Sequence, residues 1–408
     1  MRQKLLAEIE NYRPWAIQLM SQLTAIPALG PSNQGNGEMA KAIFLIPVLQ
    51  ELGLTIEMAD AHDPRVEDGL RPNLLAWRQG GNGPGCFVLG HMDVVPEGSL
   101  ELWESDPWQL RVEGSRLYGR GAADNHDGIT AALLALKAIQ ALELSLPGRA
   151  GVALVSDEET GSQMGLEYVL QSRPDFFTHD DLLIVPDWGS PDGGMIEIAE
   201  KSILWLRVEV IGVQAHASVP HLGRNALYAA ARMIVEIYRV RDRLTQHMDL
   251  FIPPITTMEP TRKLAGVSNI NTIPGRDVFY IDCRILPGIP TDEVQYALQA
   301  AFAPIAMELG VSVTITKEFN LQAPLGTLAD APVVLALKGA IRQVRGIEAR
   351  VSGIGGGTVA AFFRQRGLSA AVWNTNHNNS HKPNEWADLD DIIKDAQVLA
   401  LVYAGLHQ

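Results

Sequence analysis

The sequence predicts an α/β protein, a mostly parallel sheet flanked by helices and interrupted by an inserted α+β domain. The first observation behind this is an alternation of short apolar runs, "CFVLG", "GVALVS" and "LLIV", with helix-periodic segments, "GITAALLALKAIQAL" and "GLEYVLQS". Apolar runs bounded by helices are what strands buried on both faces of a parallel sheet look like. Near residue 200 the pattern changes. "ILWLRVEVIG" alternates like a half-exposed strand, "NALYAAARMIVEIYRV" is an amphipathic helix, and "GVSNINTI", "DVFYIDCRI", "DEVQYALQAAFAPIAMEL" and "VSVTITKEF" follow. Strand, helix, strand, strand, helix, strand describes a split βαβ unit. Finally, helices and short apolar runs such as "AAVW" return after residue 320. The expected organisation is a discontinuous domain, 1–198 with 321–408, into which 199–320 is inserted.

The elements follow in order. "MRQKLLAEIENYRPWAIQLM" breaks its apolar residues with charges every few positions, which suits an amphipathic helix and not a secretory leader. A chain of 408 residues, 47% apolar and 20% charged, can bury a large core and is too long for most single domains. A formal charge of −14 with no cluster of Lys and Arg argues against nucleic-acid partners. No apolar run approaches the ~18 residues of a membrane helix. Cys86 and Cys283 sit in strand-like runs and read as buried free thiols, which fits a cytoplasmic protein.

Sheets of this kind place their chemistry beyond the carboxyl ends of the strands. After "CFVLG" come His91 and Asp93, after "GVALVS" come Asp157, Glu158 and Glu159, and after "LLIV" comes Asp187; Asp124 in "GRGAADNHDG" and His381 in "NNSHKPNEW" complete the set. Singly, a strand-end Asp more often caps a turn than binds a ligand. Jointly, carboxylates and imidazoles without thiolates suit a catalytic zinc, cobalt or manganese site. His91 and Asp93 are two apart, so an extended segment puts them on one face, where Asp93 can accept the far ring N–H. Adjacent Glu158 and Glu159 point different ways, so one can ligate metal while the other faces the attacking water.

"GHMDVVPEG", "WESDPW", "LYGRGAADNHDG", "VSDEETGS", "VPDWG", "GVQAHASVPHLGRNA", "NTIPGRDVFYIDCRILPG", "GGGT" and "SHKPNEW" resemble, in order, the motifs of the dinuclear-metal aminoacylase, carboxypeptidase and succinyl-diaminopimelate desuccinylase family, which includes acetylornithine deacetylase. The resemblance runs from about residue 85 to 390. It implies a phosphorylase/hydrolase-like sheet domain and a ferredoxin-like domain through which the chain forms a homodimer. It also implies two divalent ions, zinc with cobalt or manganese as alternatives, bridged by Asp124. His91 and Asp187 would complete one site, Glu159 and His381 the other. Glu158 would take a proton from the attacking water and pass it to the leaving amine, with Asp93 behind His91. A cis peptide between Asp124 and Asn125 is implied too. Among substrate contacts, His216 would reach the active site of the other subunit and donate to the oxyanion, while Asn271 and Arg284 match substrate-contacting positions.

"GIGGGT" either opens a helix whose N-terminus receives the substrate carboxylate, with Gly356 and Thr358 as contacts, or is a plain loop. It lacks the Lys of a nucleotide-binding loop. His126 and Asp127 depart from the family pattern, and we read His126 as a solvated loop residue. The implied activity is hydrolysis of an amide beside a free carboxylate, foremost deacylation of an N-acyl amino acid. Carboxypeptidase or dipeptidase action on a short peptide is the alternative. A non-catalytic binding relative would have lost ligands or the base, and this chain has lost none.

Overall fold

The computed structural model of the chain describes residues 1–264 and 266–407. The strands of its two main sheets are, in chain order, β1 (Thr55–Met58), β2 (Leu74–Arg78), β3 (Cys86–His91), β4 (Ala150–Val155), β5 (Leu182–Ser190), β6 (Met195–Glu200), β7 (Ser202–Ile211), β8 (Thr257–Lys263), β9 (Arg276–Ile285), β10 (Ser312–Leu321), β11 (Arg350–Ile354) and β12 (Ala370–Thr375). The helices needed below are α1 (Met39–Glu51), α2 (Asp127–Ala141), α3 (Ala226–Arg243), α4 (Thr291–Leu309) and α5 (Leu389–Tyr403). The chain divides into two compact units, Met1–Ile198 with Thr327–Val351 and Phe362–Gln408, and Ala199–Gly326 with Ser352–Ala361.

In the first unit the strands follow the order β1-β2-β4-β3-β5-β12-β6-β11. The four central strands β4, β3, β5 and β12 run parallel, and β1, β2 and β6 pair antiparallel around them, so the sheet is mixed. Cys86, Phe87, Val88 and Leu89 are all buried, as a strand covered on both faces requires. Helix α2 carries apolar or small residues almost all round and packs against α5. All four parallel strands therefore end on one side, and there the chemistry collects. The register of β12 on β5 slips between Val372, opposite Val185, and Asn374, opposite Gly189. The extra residues on β5 include Asp187, and bulges of this kind re-aim a side chain.

The second unit holds an antiparallel sheet in the order β8-β9-β7-β10. Leu204, Leu206, Val208 and Val210 of β7 turn inward together with Phe279, Ile281 and Cys283 of β9. Against them lie Ala226, Ala230, Met233 and Ile237 of α3 and Val294, Leu298 and Phe302 of α4, both at helical spacing. Phe302 is fully buried, its ring centroid 6.4 Å from that of Phe279. Denaturant unfolding of Phe302→Ala is expected to show a loss of about 3–5 kcal/mol, the usual result of emptying a buried aromatic site.

Two details differ from the expectation. The second strand of the small sheet in chain order is β8, not "GVSNINTI", of which only Thr272 and Ile273 pair, with His216 and Ala215. Strand β8 is polar and contains Pro260, which an edge strand tolerates because a missing N–H costs nothing on its open side. The second unit also reaches further than residue 320 and includes 352–361. Gln322 donates to Ser202 Oγ at 3.1 Å and to Ile289 O at 3.2 Å, which holds the end of β10 to that unit. The Gly353 N–H donates to Leu250 O at 2.6 Å, and a Cβ at Gly353 would stand 2.4 Å from the Phe251 ring. Cys86 and Cys283 are buried free thiols. Among the described residues no helix is long and apolar enough to cross a membrane.

Candidate metal centre

His91 ends β3, Asp187 stands in the bulge of β5, Glu158 and Glu159 follow β4, and Asp124 lies in the irregular turn Ala122–His126 that leads into α2. Asp124 uses its two oxygens separately. Oδ1 is 2.8 Å from His91 Nε2, and Oδ2 is 3.1 Å from His381 Nε2. His91 Nε2 also stands 3.7 Å from Asp187 Oδ1, and His381 Nε2 stands 3.1 Å from Glu159 Oε1. Two trios result, His91–Asp124–Asp187 and Asp124–Glu159–His381, each with its ligand atoms within 4.8 Å of one another and with Asp124 common to both.

The surrounding backbone is fixed by specific bonds. The Asp124–Asn125 peptide is cis. Asn125 joins two strand ends, accepting the His91 N–H at 3.3 Å and donating to Pro186 O at 2.5 Å. Glu385 accepts from Arg120 at 2.5 Å and from the Ala123 N–H at 2.9 Å, which holds the turn just before Asp124. Asp93 works differently from the expectation. The nearest acceptor it offers the His91 Nδ1–H is its backbone carbonyl at 3.0 Å, with its carboxylate at 3.6 Å. That carboxylate instead accepts the N–H groups of Glu158 and Glu159, each at 3.0 Å. Behind the same turn, buried Arg71 donates to both oxygens of Glu38 at 2.5 and 2.6 Å and stands 3.5 Å from Asp157 Oδ1. Sequence reasoning missed Glu385, Arg71 and Glu38, although Glu385 lies inside a motif that it singled out, and it named Asn125 only for the cis peptide, not for these bonds.

The electrostatics suit cations. Burial pushes His91 toward neutrality, but the hydrogen bond to Asp124 and the nearby carboxylates of Asp187 and Asp93 hold its pKa well above the ordinary value. Hydrogen bonds to Asp124 and Glu159 push His381 up to about 10. Burial raises Glu158 well above the usual carboxylate range, and the charge of Asp187 adds to this. A dense carboxylate group that draws protons onto its imidazoles also draws metal ions, and an oxygen and nitrogen donor set without thiolate fits zinc, cobalt or manganese.

His126 and Asp127 are not solvated. His126 is 1% exposed, with Nε2 2.7 Å from Lys41 Nζ, and Asp127 is buried at the start of α2, accepting the Gly128 N–H at 2.6 Å. The cause is Gly121, whose φ of +84° turns the chain back on itself; a Cβ there would stand 2.5 Å from the His126 ring.

The expected substrate contacts belong to the second unit. His216 and Asn271 are neighbours: His216 pairs with Thr272, and Asn271 O accepts the Ala217 N–H at 2.8 Å. Arg284 donates to Asp282 at 2.7 and 3.1 Å and to Gly355 O at 2.9 Å, which brings it to the glycine loop. At Gly356 a Cβ would meet nothing within 4 Å. Thr358 directs its N–H, at 3.0 Å, and its hydroxyl, at 2.5 Å, to Glu200 Oε1, and its Oγ1 caps the Ala360 N–H at 3.2 Å.

Two carboxylate and imidazole trios sharing one aspartate, set at the carboxyl ends of a parallel sheet, define the site of a metallohydrolase. Residues 87–404 match the peptidase family M20/M25/M40. An uncharacterised metallohydrolase of Methanocaldococcus jannaschii is 36% identical over 94% of this chain and 97% of its own length. The succinyl-diaminopimelate desuccinylase of Delftia acidovorans is 28% identical over 92% and 94%. The crystal structure of the aminopeptidase PepT from Bacillus cereus superposes with a TM-score of 0.76 at 16% identity, covering 97% of this chain and 99% of that one. The chain belongs to the M20/M25/M40 peptidase family, whose metallohydrolases use divalent metals, and it is a hydrolase of that kind. The resemblance read from the motifs, and the α/β class with its additional smaller sheet, are borne out.

Proposed function

We propose that the chain hydrolyses an amide bond next to a free carboxylate and acts as a deacylase, of desuccinylase or deacetylase type, on an N-acyl amino acid. The observation that carries this is the division between two adjacent glutamates. Glu159 is engaged by His381, while Glu158 is held in place through its backbone by Asp93 and has its pKa raised by burial, the direction a general base needs. His91, Asp187 and Asp124 would hold one ion, and Asp124, Glu159 and His381 the other. When bound, these ions supply Lewis acidity to the scissile carbonyl and to water. Glu158 accepts the proton of the attacking water and delivers it to the departing nitrogen. Arg284 has five donors, three of them used by Asp282 and Gly355 O, and the rest of its fork receives the substrate carboxylate alongside Gly356, while both donors of Thr358, expected as a contact, are taken by Glu200. His216 and Asn271 serve substrate bound by a second copy of the chain, so the working form is a homodimer through the inserted unit. Buried free Cys86 and Cys283 suit the reducing cytoplasm.

The desuccinylase relative favours the deacylase reading, and the family's peptidase description favours the second, a carboxypeptidase or dipeptidase. Assaying the zinc-, cobalt- and manganese-loaded protein on N-succinyl and N-acetyl amino acids and on dipeptides separates them. The highest kcat/KM is expected on an N-acyl amino acid. A dipeptide preferred over all of these establishes the second reading, and ion-loaded protein that cleaves none of the panel overturns both.

A further inference from the structure

Lys41 is a buried lysine, its pKa pulled down to about 7 by burial, that the chemistry above does not use. It lies in the first turn of α1 with its side chain fully buried, and its ammonium stands 2.7 Å from His126 Nε2. When the amine is protonated it only donates, and the imidazole then accepts at Nε2 and carries its own proton on Nδ1. That Nδ1 is buried and has no hydrogen-bond partner among the described residues, which leaves Lys41 as the bond that orients the ring. The ring lies close against the Gly121 backbone, in space that a Cβ there would take. His126 closes the turn that carries Asp124, two residues away.

Glu38 precedes Lys41 by one helical turn and grips the other loop, through Arg71 and by accepting the Asp157 N–H at 3.3 Å. One helix end thus reaches both loops: Glu38 that of Glu158 and Glu159, Lys41 that of Asp124. We propose that Lys41 is a positioning residue for the metal centre, setting the Ala122–His126 turn through His126 so that the two oxygens of Asp124 diverge toward two ions. This rests on the reading of the trios as metal sites.

Charge and position predict opposite signs, and that makes the proposal testable. A lysine acting only as a nearby positive charge weakens cation binding, so its removal tightens it; a lysine that sets the turn strengthens binding, so its removal loosens it. Zn²⁺ affinity is read by competition with a chromogenic chelator on full-length Lys41→Met and on Lys41→Met/His126→Leu. The double variant removes both polar partners together, leaves no unpaired buried group, and decides the matter where the single variant folds poorly. Both are expected to bind Zn²⁺ about 10–100-fold more weakly, with kcat lowered and KM little changed. Affinity equal to or tighter than that of the unsubstituted chain overturns the proposal. An unsubstituted chain that takes up no Zn²⁺ overturns the metal reading itself, and the role of Lys41 with it.

Discussion

Glu158→Gln lowers kcat by about 10²–10⁴-fold, the range that a positioned general base contributes, while ion content and KM stay close to those of the unsubstituted chain. The amide fills the same space but cannot take a proton from water. The backbone of Glu158 keeps its bond to Asp93, so the turn is not disturbed. Glu159→Gln provides the contrast. Its carboxylate faces His381 in the second trio, so that change lowers ion content along with turnover. Turnover on the best N-acyl substrate and elemental analysis of the same samples check both. Full turnover in Glu158→Gln with ions bound would show that the base is another group.

Asp124→Asn removes uptake at both ion sites, with a loss of activity beyond about 100-fold, since even partners outside the ligand set are worth 10–100-fold. Each oxygen of Asp124 faces a different imidazole, so neutralising this one group alters both trios. Asp187→Ala changes only the trio that includes His91. Metal stoichiometry distinguishes the two variants, and an Asp124→Asn protein that still holds two ions at wild-type affinity overturns the shared role.

Much of the site could be read from the sequence because its groups follow strand ends. An apolar run marks the strand, and the next polar residues fall toward the end of the sheet; His91, Glu158 and Glu159 are of this kind, and Asp187 comes close to it, in the bulge of β5. What could not be read depends on groups distant in the chain. Lys41 has the appearance of a solvated helix position, and only the fold brings it 2.7 Å from His126. His126 itself looked exposed because its burial follows from the left-handed turn at Gly121. Spacing rightly put Asp93 beside His91, but it carries no information about backbone N–H groups 65 residues on, to which the carboxylate is bound. Strand β8 was hidden by Pro260 and its polar composition, since an edge strand needs neither alternation nor a complete ladder.

The place of β12 matters for how the chain is made. It comes from residues 370–375, yet stands between β5 and β6 in the middle of the sheet. On the ribosome, His91, Asp124 and Asp187 emerge first, while the sheet that holds them stays open along one side of β5 until residue 375 has been added. An unpaired strand edge is a template for other chains, and contacts between residues so far apart form slowly. Fragments that stop short of Ala370 should therefore aggregate where the full chain folds, and synthesis has to pass residue 375 before this protein can safely meet its metals.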